Sequence, residues 1–246
     1  MTRIDIVDES VSLDSPVLVE GFPGVGLVGK MAVDHLVASF EMDHYANVYC
    51  EGIPPVATYQ EDSRGLVAPV RLYADADRDL LALQSDVPIG PDAATEFGDC
   101  VAGWVAEADV LPLYLSGLPR GTEEPPALYG VATDADAAAR LTDAGVDRPA
   151  EMGLLSGPTG ALLAHATEHA TGAIGLIVES NPQLPDPIAS QTVIQEGIEP
   201  IADIEVPTED LSARAEEIEQ ARQQLLQRMQ QATDDSSRAQ PLRMYQ

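Results

Sequence analysis

The stretch SPVLVEGFPGVGLVGKMAVDHLVASF, residues 15–40, narrows the fold more than any other part of the chain. Residues 15–22 form a short apolar run that reads as a buried strand. Residues 24–40 repeat their apolar side chains on a 3.6-residue period, which predicts a helix. The result is a strand, a glycine turn and a helix in direct succession. The pattern then continues, with strands expected at 45–50, 66–73 and 80–86, around VLPLYLSG and ALYGVAT, and at AIGLIVES. Helices are expected over 91–108, 134–144, the second part of 153–172 and 187–197. Strands alternating with helices imply an α/β fold with a mainly parallel sheet covered on both faces, closing near residue 200.

Composition decides which partners such a domain can have. The 246 residues carry 41 Asp and Glu against 13 basic residues, a net charge of −28, and only Lys30 among the basic residues is a lysine. An apolar fraction of 45% separates this chain from disordered acidic chains, which lack the apolar surface to offset ordering entropy. The acid therefore belongs on a folded surface, where near-saturating salt would screen it, as inside an extreme halophile. That charge argues against nucleic acid and anionic membranes as partners. The start, MTRIDIVDESVSL, has no basic segment leading into an apolar one, so a cytoplasmic protein is expected. In that compartment Cys50 and Cys100 are expected to be two buried thiols.

Several short patterns invite chemistry. Gly24, Gly26 and Gly29 satisfy G-x-G-x-x-G between a strand and a helix, and Glu51 after the next strand is a candidate ribose acid. Gly24 to Lys30 also fits G-x-x-x-x-G-K, but Met31 stands where a magnesium-binding hydroxyl belongs. A nucleotide- or nucleoside-binding enzyme using loop 21–30 is thus one reading. The other is that these glycines let a tight turn approach the sheet. His165, Glu168 and His169 spell H-x-x-E-H, a zinc pattern, within what reads as a core helix with a partly exposed polar face; no metal is expected. Ser116 and Ser156 lack the glycine two residues earlier that a nucleophile elbow requires, and SGPTG could hold an anion or simply begin a helix.

Beyond residue 200 the composition changes. PTEDLSARAEEIEQARQQLLQRMQQ predicts a C-terminal helix within 201–232, with Leu211, Ile218 and Leu225 at seven-residue spacing. That seam suits either packing on its own domain or a joint between subunits. Residues 233–246 read as a flexible tether that finishes on Met244, Tyr245 and Gln246.

The segments VEGFPGVGLVGKMAVDHL and GLLSGPTGALL, with the strands between them, resemble the PAC2 family of proteasome assembly chaperones. The resemblance covers roughly residues 15–200. It implies a three-layer α/β/α sandwich similar to that of nucleoside phosphorylases, without their catalytic groups. It also implies self-association and a structural role for the glycine loop formed by Gly21, Phe22, Pro23, Gly24, Gly26 and Gly29. Archaeal members act on the 20S proteasome as assembly chaperones or ATP-independent activators and dock through a C-terminal hydrophobic–Tyr–X motif, which Met244, Tyr245 and Gln246 match. The implied partner is a pocket between α-subunits that offers a lysine. A free main-chain carboxylate exists only at a chain end, so a cationic pocket can require it, and a tyrosine adds apolar area with one oriented hydrogen bond.

Overall fold

A computed structural model describes residues 3–59, 64–120, 125–211 and 213. Eight strands make one sheet in the order β1 (Arg3–Ile6), β3 (Asp43–Tyr49), β6 (Val70–Asp75), β7 (Leu80–Ser85), β2 (Val17–Gly21), β8 (Leu111–Pro119), β10 (Ile174–Ser180) and β9 (Leu128–Ala132). A separate hairpin joins β4 (Thr58–Tyr59) and β5 (Leu66–Val67). The pairings β7–β2, β2–β8 and β8–β10 are parallel, and the others are antiparallel. This division follows from the connections: β3, β6 and β7 follow one another with no crossover helix between them and so form a meander. A helix, α1 (Val28–Ser39), follows β2, and another, α2 (Ala94–Glu107), leads from β7 into β8.

Helices α1, α3 (Ala135–Asp143) and α5 (Pro187–Thr192) cover one face, and α2 and α4 (Gly157–His169) cover the other. Strand alternation feeds both layers. Val19, Leu80, Ala82 and Leu113 face the first core, while Leu18, Leu81, Leu83 and Tyr114 face the second. α2 and α4 pack closely because Gly98 lies against Ala161. Two helix starts are fixed by carboxylates: the Ala137 N–H donates to Asp134 at 2.8 Å, and the Ala189 N–H to Asp186 at 3.0 Å. α5 runs on through a π-helical turn, Val193–Ile198, into α6 (Glu199–Ala202).

One expectation is revised. Cys50 and Cys100 are joined in a disulfide, with Cα atoms 6.1 Å apart, where two free thiols were expected. The residue following β3 and the partly buried Cys100 of α2 come together there, a proximity that spacing along the chain does not reveal. Of the two packings left open for the segment after residue 207, Leu211 follows the first at its own position, fully buried in the first core with Ile201 and Val206. His35 of α1 meets the Pro207 carbonyl and pins the same segment. Ile218, Leu225 and Met244–Gln246 lie outside the described residues.

Candidate functional site

A cleft of about 840 Å³ opens beyond the C-terminal ends of the parallel strands β2, β8 and β10. Ligand sites of open α/β sheets occur at this edge. Phe22 to Val25 form one wall, Leu115 to Arg120 the floor, and a loop from Pro149 to Ser156 the opposite side. Gly160 allows that loop to fold back on α4, because a side chain there would strike the Leu155 carbonyl at 2.4 Å. Ser116 lines the floor, and the hydroxyl of Ser156, at the N-cap of α4, makes no capping bond.

The glycine loop meets its surroundings tightly at some positions and openly at others. Gly26 has φ +63°, and a Cβ on it would lie 1.9 Å from Ser180 Oγ. Its carbonyl accepts from the Asp186 N–H at 2.8 Å, and Ser180 Oγ donates to the same aspartate at 3.3 Å. Gly21 lies against Val33, and Gly29 against Leu115, whereas Gly24 is extended and has open space beside it. Phe22 stacks edge to face on Phe97, 5.2 Å between centroids, and Pro23 lines the cleft.

The groups of the nucleotide reading are not brought together. Lys30 Nζ donates to Asp34 at 2.6 Å and stands 3.4 Å from Asp86, which also pairs with Arg71 at 2.8 Å. Glu51 follows β3, three strands away from β2, or about 14 Å at the usual strand spacing. The His165 and His169 rings stack 4.0 Å apart on α4, and His169 bonds the His165 carbonyl. Among the described residues no cluster of three or more His, Cys, Asp or Glu could hold a metal.

The sequence reading overlooked Glu20. It is fully buried on β2 beneath the cleft, where its carboxylate accepts from the Phe22 N–H at 2.9 Å, the Leu115 N–H at 3.1 Å and Thr159 Oγ1 at 3.1 Å. One side chain thus ties β2, β8 and α4 together. Burial pushes its pKa up from 4.5 to about 7, against the downward pull of those three bonds. Burial, with the nearby Glu20 charge, also raises the Tyr114 hydroxyl. The signal in the sequence was a single acid inside the apolar run VLVEGF. At the mouth of the cleft, Arg120 pairs with the buried Glu179 at 3.0 Å and stands 3.5 Å from the exposed Glu151, while Met152 and Leu154 are fully exposed.

Comparison with known proteins places this architecture. Pyrococcus furiosus PbaA, an archaeal homolog of proteasome-assembly chaperone, has the same fold, with a TM-score of 0.77 at 22% identity over 95% of each chain. P. furiosus PbaB, an archaeal proteasome activator, gives 0.73 at 22% identity, over 91% of this chain and 98% of its own. An uncharacterized Methanocaldococcus jannaschii protein is 26% identical over 211 residues, 85% of this chain and 84% of its own length. The PAC2 family model matches residues 18–226, which takes in the glycine loop, the cleft and every helix described above; the chain belongs to the PAC2 family.

Proposed function

We propose that this protein is a non-enzymatic, self-associating partner of the 20S proteasome, acting as an assembly chaperone or an ATP-independent activator. Its tail docks in pockets of the α-subunit ring. The observation that carries the reading is that a PAC2 fold and the sequence Met244–Tyr245–Gln246 occur in one chain. Met244 supplies an apolar side chain and Tyr245 an aromatic body with a hydroxyl, with Gln246 in the position after them.

The glycine loop supports a structural role over a phosphate-binding one. Gly26 is filled by Ser180 and tied to Asp186, and Lys30 is committed to carboxylates of its own chain. A single short tail binds weakly. Several tails presented to one ring gain roughly 10²- to 10⁴-fold through effective concentration, so self-association belongs to the mechanism.

Capture of 20S proteasome in molar salt by full-length protein and by protein lacking Met244–Gln246 tests the reading. Truncation is expected to abolish capture, and unchanged capture by the truncated chain would overturn the proposal. Hydrolysis of a fluorogenic peptide by the captured proteasome then separates the two roles, because only an activator raises it.

A further inference from the structure

The loop at the mouth of the cleft presents what a folded acidic domain normally covers. Met152 and Leu154, two large apolar side chains one residue apart, are completely exposed beside walls formed by Phe22, Leu115 and Ile177. The loop is anchored at its end by the Leu155 carbonyl packed on Gly160, so the two side chains stand on a fixed base. Its charges also differ from those of the molecule. In a chain of net charge −28, Arg120 stands here 3.5 Å from Glu151, whose side chain is 80% exposed, and keeps a second contact to Glu179 at 3.0 Å. An exposed pair of that kind contributes little within one molecule and is free to exchange partners.

We infer that this loop and cleft form a self-complementary contact between two copies of the chain. The inference rests on the self-association in the reading above and says where it occurs. In a two-fold contact, residue i of one copy meets residue j of the other and the reverse. Arg120 of each copy then faces Glu151 of the other, while Met152 and Leu154 of each enter the apolar mouth of the other's cleft. Here an opposite-charge pair and two fully exposed apolar side chains coincide. Methionine suits the contact, since its unbranched thioether fits an irregular wall. Each cleft is closed by side chains of the other copy and is incomplete alone.

Sedimentation of the full-length protein at about 100 µM in about 2 M KCl tests this, under conditions where net repulsion is screened. The wild type is expected to associate. Met152→Glu with Leu154→Glu should raise the dissociation constant at least about 100-fold by burying unpaired carboxylates, with the thermal midpoint unchanged in dilute protein where both forms are monomeric. Glu151→Arg should weaken association about tenfold, and adding Arg120→Glu should restore it by re-forming the pair with reversed signs. A monomeric wild type, association unaffected by the double glutamate variant, or failure of the charge swap to rescue would each overturn the inference. Protein lacking Met244–Gln246 should associate as the wild type does. If that truncated protein associates normally yet still captures proteasome, tail docking fails while this contact stands.

Discussion

Glu20 shows how one side chain can set the pH response of the whole sheet. Below pH 4.5 the folded and unfolded chains both hold its proton. Between 4.5 and about 7 only the folded chain does, so this group's stabilisation is full at the acid end and is lost as pH rises through 7. The size of the effect is at most about 3 kcal/mol, from 1.36 kcal/mol per pKa unit. Urea unfolding of wild type and Glu20→Gln at pH 5 and pH 7.5 checks it. The stability difference between the two proteins should be larger at pH 5 and shrink toward pH 7.5. The variant should be the less stable at both, because its amide N–H₂ faces the N–H of Phe22 or Leu115 in place of an acceptor. A constant difference across that range would show that Glu20 titrates at its ordinary value.

Among the elements, the disulfide gives the most direct prediction. It ties the end of β3 to α2 across 50 residues, and loops of that length correspond to about 2–4 kcal/mol of stabilisation. Cys50→Ser with Cys100→Ser, or reduction by a dithiol, should lower the unfolding free energy by that amount, read from the urea midpoint; an unmoved midpoint would show that the bridge contributes nothing. The sequence revealed most elements but not their pairing. The seven longer strands were legible because β2, β6, β7, β8 and β10 are apolar runs buried on both faces. β1 was not, because Arg3–Ile6 is a mostly exposed edge strand without an apolar run. Which strands run antiparallel depends on connections such as the one from β3 to β6, whose sequence EGIPPVATY carries no helical period. The bridge itself was masked by expecting a reducing compartment. At the site, the glycine loop was visible as a motif, whereas the exposed loop at 149–156 gave only a turn signal, since exposure of Met152 and Leu154 is a property of the fold.

For the molecule as a whole, charge dominates. A net charge of −28 on a chain of 26.1 kDa repels itself in dilute salt, and the Debye length falls from about 10 Å at 0.1 M to about 3 Å at 1 M. The thermal midpoint should therefore rise steeply with KCl up to about 1 M and flatten beyond it. Scanning calorimetry across that range checks this, and a midpoint insensitive to salt would show that repulsion between the acids does not limit stability. The order of the sheet carries one more consequence. β2 is one of the two inner strands of the parallel part, yet both of its neighbours are synthesised after it, with Val17 opposite Leu80 on one side and Leu111 on the other. On the ribosome, the apolar run VLVEG waits unpaired until β7 has emerged with the β3–β6–β7 meander, and its other edge stays open until β8 follows. β10 is made last of the strands and slots between β8 and β9, so its two seams close last during biosynthesis, and until then the nascent chain exposes the apolar edge of β8 to misassociation.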